Sequence, residues 1–352
     1  MTSQDRGLDR AQDVWPEAEP GSEAEGRGIR ALASSILARL ILAPEISLIA
    51  ALIIFGAIVQ AQNAAFFRYE NLILVAKAAG PVFIVSVTMT FVLVGGGIDL
   101  SVGSVAALGG VVTALALTAE VPIPLAILEG LLACAAVGLI NGFLVARAGI
   151  PPLIVTLGAL YAVRGMVLVI TDAGQIFPLP PAFNAIAQGA VATIPFLVIY
   201  GIVFGILGHV VLEYSTFGYR IRALGGNAVA ARGAGIQITR LRASLYVVSA
   251  LGAGLAGILA TSRFSVGDPV LYQGFELVVI SAVIVGGTSL FGAIGRVTGT
   301  ALGVILLGLV TNGLQLMRVN QYFQPVVLGA VVVGAVAIDR IRRTRIWRVS
   351  SQ

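Results

Sequence analysis

The stretch Val94 to Gly110, VGGGIDLSVGSVAALGG, lies between two apolar runs that are each long enough to cross a bilayer. Directly after Gly95, Gly96 and Gly97 it sets one carboxylate, Asp99, and two hydroxyls, Ser101 and Ser104. Oxygen groups at this spacing can hold a polar solute, relay a proton or cap a helix. A carboxylate at membrane depth is a functional candidate by default. A carboxylate just ahead of a helix also accepts from the free N–H groups there and complements the helix dipole. Capping of a tight inter-helix turn is the favoured role for Asp99, and direct contact with a solute is the alternative. Gly96, Gly97, Asp99, Ser101 and Gly103 form this signature turn, whose glycines suit packing close to a neighbouring helix. A second stretch of the same flavour, VGGTSLFGAIG, runs from Val285 to Gly295, with no convincing register between the two.

Other polar groups interrupt the apolar runs and are candidates for a solute pathway: Glu129, Asn141, Thr156, Arg164, Asn312 and Gln315. Counted from the outer helix ends at 1.5 Å per residue, Glu129 and Arg164 lie at the same depth of roughly 10 Å. Each is costly alone in lipid, so an ion pair between them is expected. The four uncharged residues can hydrogen-bond a solute or join helices, and joining helices is the commoner use. His209 reads as a packing residue near a helix end. Cys134, the single cysteine, reads as a small buried residue, which excludes an intramolecular disulfide and a cysteine metal cluster.

These groups sit in a chain of 352 residues that is 58% hydrophobic and 11% charged, where a soluble domain is about 25% charged. So much apolar surface requires the bilayer as solvent. The 43 glycines fit closely packed membrane helices, among them Gly252, Gly254 and Gly257, and Gly299 and Gly303, which also suit a dimer interface. The net charge of +5 reflects arginines in loops and tails rather than a nucleic-acid surface.

The expected fold is all-α and polytopic, with about ten transmembrane helices at residues 44–62, 76–96, 101–119, 123–146, 152–171, 193–212, 242–262, 274–290, 297–317 and 322–339. The second run admits an earlier start, with Asn71 to Ala79 as an interfacial helix and Pro81 marking the change. Residues 1–28 form an acidic tail with no apolar periodicity, expected to be disordered. Residues 29–340 are the membrane domain, and 341–352 a basic tail. Ten crossings put seventeen of the 22 basic residues on the side of the termini. Arg68, Lys77, Arg263 and Arg318 fall opposite, and Arg164 inside. By the positive-inside rule both termini are then cytoplasmic. The outer loops, residues 172–193 with three prolines and 263–273 with Asp268 and Pro269, either simply connect helices or receive a docking protein.

Residues 213–242 form the longest inner loop. Asn227 to Arg232 reads as a short helix, with Asn227 as its cap. Gly225 and Gly226 supply a turn before it, and Gly233 and Gly235 break it afterwards. A short helix between hinges suits a part that takes a push from a cytoplasmic partner. A basic loop drawn to anionic lipid is the equal alternative.

ALGGNAVAARGAGI in this loop resembles the cytoplasmic loop of permease subunits of ATP-binding-cassette sugar importers. GGGIDLSVGSV resembles the signature of the ribose/xylose/galactose branch. GGTSLFGAIGRVTGTALGVILLGLVTNGLQL with YFQPVVLGAVVVGAVAID resembles that branch's C-terminal region. The likeness runs from about Asn71 to Asp339. It implies a non-catalytic permease in a bacterial inner membrane that imports a monosaccharide, a pentose, hexose or related polyol. It also implies three partners: a second permease copy, a cytoplasmic ATPase subunit and a periplasmic or lipoprotein sugar-binding protein. Gly225, Gly226, Asn227, Ala231, Arg232 and Gly235 would fall in the family's coupling helix, which docks on the ATPase. No cofactor is expected on this chain, ATP and magnesium belonging to the partner. Lys77 is the one lysine, and no glycine precedes it as a phosphate-binding loop requires. The runner-up is an ion- or proton-coupled secondary transporter. That reading wants intramembrane acids lining a relay, and Asp99 and Glu129 have no acidic neighbour at helical spacing.

Overall fold

The computed structural model describes residues 44–320 together with residues 322–324, 326–327, 329–330 and 333–334. The expectations for both tails, for residues 29–43 and for much of the last apolar run lie outside the described residues.

The described part is helical, as so apolar a sequence requires. In chain order the helices are α1 (Pro44–Gln62), α2 (Tyr69–Val94), α3 (Val102–Thr118), α4 (Ile123–Ala146), α5 (Pro152–Ile170), α6 (Pro181–Gln188), α7 (Phe196–Tyr214), α8 (Thr216–Gly226), α9 (Ala228–Gly233), α10 (Ile238–Phe264), α11 (Phe275–Val285) and α12 (Val297–Leu316). Helices α2, α4, α5, α7, α10 and α12 are long and apolar enough to cross a membrane, while α3, α11 and the apolar part of α1 are shorter. The protein is thus an all-α, polytopic membrane protein. Within the described residues, strand structure amounts to a two-residue hairpin (β1, Ala190–Val191; β2, Ile194–Pro195) and one bridge between Ile176 and Gly267.

Helix α10 occupies the centre and packs on α2, α3, α4 and α6. Its small residues let neighbouring backbones in. A side chain at Gly252 would meet Thr88, one at Gly254 would meet Cys134, and one at Gly257 would overlap the carbonyl of Ala106. Gly299 and Gly303 likewise abut the carbonyls of Gly286 and Ala282. These glycines therefore serve packing inside one protomer, not the dimer interface that their spacing also allowed. The Cys134 thiol is free and fully buried.

Pro81 does not divide the second run. Helix α2 continues through it. Proline lacks the N–H that would bond the carbonyl four residues back, at Lys77. That carbonyl instead accepts from the Arg263 guanidinium at 3.3 Å, the replacement partner that a proline inside a membrane helix needs.

The prolines of the loop after α5 introduce α6, which is pinned to the end of α10. Ser262 Oγ donates to Phe183 O at 2.7 Å and accepts from Ala187 N at 3.0 Å. Gln188 Nε2 reaches Arg263 O and Ser265 Oγ. The bridge between Ile176 and Gly267 ties the loop after α5 to the loop after α10.

Candidate functional site

Helix α2 ends in a Schellman turn. Gly95 N–H bonds Phe91 O, Gly96 N–H bonds Leu93 O and Gly97 N–H bonds Val92 O. Gly96 takes the left-handed conformation, φ +76°, that this cap demands. Helix α11 ends the same way. Gly286 N–H bonds Ala282 O, Gly287 N–H (φ +89°) bonds Ile284 O and Thr288 N–H bonds Val283 O. Val94-Gly95-Gly96 and Val285-Gly286-Gly287 therefore correspond position by position, the register that sequence inspection did not find.

The two turns meet. Ala293 N–H, from the loop after α11, donates to the Val94 carbonyl at 2.8 Å. Against this bond lies Gly225 of α8. A Cβ there would overlap Val94 O and come within 2.7 Å of Ala293 N. Gly225 and Gly226 are thus the last turn of a helix rather than a free turn between helices. The expected need for glycine stands, but its cause is backbone contact at Gly225. A Cβ on Gly226 would only touch Ala293 Cβ at 3.6 Å.

The short helix α9 follows at once. Asn227 Oδ1 accepts from Val229 N and Ala230 N, both at 3.0 Å, the cap that the sequence indicated. Ala231 is buried, while Arg232 and Gly235 are exposed. Gly235 has φ +83° with open space around it, so its requirement is conformational. Beside α9 a cleft of about 560 Å³ is lined by Arg220, Gln237, Arg240 and Ser244, among others.

Asp99 is buried, 1% exposed. Its Oδ1 accepts from Ser101 N at 2.9 Å and from Ser101 Oγ at 2.6 Å. This closes the turn between α2 and α3 two residues on, rather than capping deeper N–H groups of α3. Asn141 Nδ2 donates to Ser101 Oγ at 3.1 Å, so Asn141 belongs to this cluster. Gly97 makes room for the Tyr246 phenol, 2.8 Å from where a Cβ would stand. Gly103 makes room for Tyr272 O and Glu276 Oε2, both within 2.7 Å of such a Cβ.

The expected ion pair between Glu129 and Arg164 is not formed. Glu129 is exposed on α4. Arg164 Nη1 donates to Pro269 O at 2.6 Å and to Leu271 O at 3.0 Å. The loop after α10 folds back to meet Arg164, a long-range event that equal depth on two helices could not reveal. Thr156 Oγ1 bonds Pro152 O in its own helix. His209 stacks edge-on with Tyr214, ring centroids 5.8 Å apart.

Asn312 and Gln315 do share a cavity. It measures about 990 Å³ and opens between α2, α11 and α12. Its walls are apolar, with Arg263, Gln273, Ser281, Thr311, Asn312 and Gln315 as polar groups. Asn312 forms a reciprocal amide pair with Asn71, Nδ2 to Oδ1 at 2.8 Å in each direction. Asn71, Arg222, Arg263, Tyr246 and Glu276 were not marked as site residues by the sequence. Asn71 and Glu276 lie near helix starts, where polar residues are ordinary, so no local signal marked them.

Residues 71–336 match the family described as branched-chain amino acid transport system / permease component. Among curated proteins, the D-allose transport system permease protein of Escherichia coli is 37% identical over 71% of this chain and 77% of its own length. The ribose import permease protein of Haemophilus influenzae is 37% identical over 84% of this chain and 93% of its own. The L-arabinose ABC transporter permease protein of Azospirillum brasilense is 36% identical over 74% and 77%. No solved structure matches significantly.

Proposed function

The chain belongs to the branched-chain amino acid transport system / permease component family, and from that premise we propose that it forms the translocation pathway of an ATP-driven, binding-protein-dependent monosaccharide importer. It is a multi-pass inner-membrane permease and a non-catalytic subunit, since permease components of this kind leave ATP hydrolysis to a separate chain. The family is described by amino-acid transport, but the similar curated relatives are named for ribose, D-allose and L-arabinose. Identity of 36–37% over most of each chain favours sugar over amino acid as cargo.

The observation that carries the mechanism is the meeting of α8 with both glycine turns. Helix α9 is the coupling helix that would rest on the ATPase subunit, and α8 joins it without a loop to the ends of α2 and α11. The cavity between α2, α11 and α12 is the outer vestibule, where Gln273, Asn312 and Gln315 offer amide groups to sugar hydroxyls. The loops carrying α6 and residues 265–274 form the platform for a periplasmic or lipoprotein sugar-binding protein. Ten crossings with cytoplasmic termini fit the charge pattern, with Arg147, Arg220, Arg240 and Arg296 on one face and Arg68, Arg263 and Arg318 on the other. A second permease copy completes the pathway. A proton relay finds its two sequence candidates far apart in role: Asp99 closes a turn, and Glu129 faces outward.

Gentle affinity purification from native membranes, followed by mass spectrometry, tests this reading. Recovery of an ATPase subunit together with a sugar-binding protein is expected. Recovery of the chain alone, in membranes whose uptake continues after ATP depletion, would overturn it.

A further inference from the structure

Arg222 lies one turn before Gly225 on the same side of α8, and its guanidinium holds two other elements. Nη2 contacts Glu213 Oε1, at the end of α7, at 2.6 Å. Nη1 donates to Gly295 O, just before α12, at 3.1 Å. The two side chains of the ion pair are only 27% and 25% exposed, so water weakens the pair less than it would a surface pair. One planar fork thus joins three segments, a task that the point charge of lysine serves less well. At the base of α8, Ser215 Oγ accepts from Gly218 N at 3.1 Å. At its far end Asn227 both ends α8 and caps α9. Helix α8 is therefore a short rigid lever with α9 at one end. Its load is the paired turns, touched by Gly225 directly and held by Arg222 through Gly295.

We propose that Arg222 is the positioning residue that latches this lever to the α11–α12 turn, so that a displacement of α9 moves the ends of α2 and α11 together. The proposal rests on the importer reading and assigns its coupling to one side chain. Without the latch α8 still abuts Val94, Gly292 and Ala293 at Gly225 but no longer pulls Gly295. ATP turnover continues while the membrane helices follow it poorly.

The test uses the complete transporter, this chain with its co-purifying ATPase and binding protein, in proteoliposomes. Labelled D-ribose, D-allose and L-arabinose are the cargo probes, and uptake and ATP hydrolysis are read in parallel. Arg222→Met is expected to lower sugar imported per ATP hydrolysed about tenfold, the scale of one charged hydrogen bond, with hydrolysis largely kept. Glu213→Gln is expected to lower the ratio less, and Arg222→Lys to restore part of it. An unchanged ratio, a parallel fall of uptake and hydrolysis, or failure of both Arg222→Met and Glu213→Gln to assemble would each make the pair purely structural and overturn the proposal. The wild-type control reports separately on the underlying reading: a chain that assembles with no ATPase contradicts the importer, not the latch alone.

Discussion

The amide of Ala293 donates to the carbonyl of Val94 across 2.8 Å, joining two chain segments nearly two hundred residues apart. The carbonyl is one that a helix end leaves without a partner. Supplying that partner from the loop after α11 ties the C-terminal ends of α2 and α11 by their backbones. Gly225 seals the contact from the third side.

Gly225→Ala should therefore fail where nearby glycine substitutions succeed. Its methyl meets backbone atoms that no rotamer change can move, an overpacking cost of about 1–3 kcal/mol. Gly233→Ala, with open space around it, should stay within about 0.5 kcal/mol of wild type. Thermal unfolding in detergent, alongside uptake, checks both. Equal tolerance at the two positions would contradict the three-way contact.

The amide pair of Asn71 and Asn312 predicts non-additivity. Asn71→Leu orphans the half-buried Asn312 amide, and Asn312→Leu leaves the buried Asn71 Oδ1 without its donor while Nδ2 keeps Phe66 O at 2.8 Å; each should cost about 1–3 kcal/mol. The double change should cost less than the sum, with a coupling of about 0.6–2 kcal/mol. A double-mutant cycle on unfolding measures it, and strict additivity would place the two amides apart.

Arg164 and Glu129 should behave as strangers. Arg164→Gln removes charged hydrogen bonds to Pro269 and Leu271 and should cost about 2–3 kcal/mol. Glu129→Gln should lie within about 0.5 kcal/mol of wild type. Losses of similar size, not additive in the double variant, would restore the ion pair between them.

Much of the fold was legible because bilayer length, apolar runs and helix caps are local signals. The Asn227 cap, the ends of α3 and α4, and the turn role of Asp99 all follow from residues within a few positions of each other. What escaped was long-range. Arg263 relieves Pro81, Arg164 seeks loop carbonyls, and Asn312 finds Asn71 across 241 positions. Equal depth along two helices says nothing about which faces meet. The recurring turns were visible as letters, yet their correspondence lies in hydrogen bonds that end with Gly97 in one case and Thr288 in the other.

Asp99 offers a test of whether charge or shape matters at the signature turn. Asp99→Asn keeps an acceptor for Ser101 and should retain uptake within about twofold. Asp99→Ala removes it and should cost about 1 kcal/mol of stability, the scale of a lost cap, with uptake reduced. Loss of uptake in Asp99→Asn with assembly intact would instead assign the carboxylate a proton or ion.

The central claim is tested most directly by the energy source of transport. Uptake of labelled D-ribose, D-allose and L-arabinose is measured in proteoliposomes holding this chain with its ATPase and binding protein. The account predicts accumulation of one of these sugars that requires internal ATP and survives a protonophore. Accumulation that proceeds without ATP and collapses with the protonophore would contradict it.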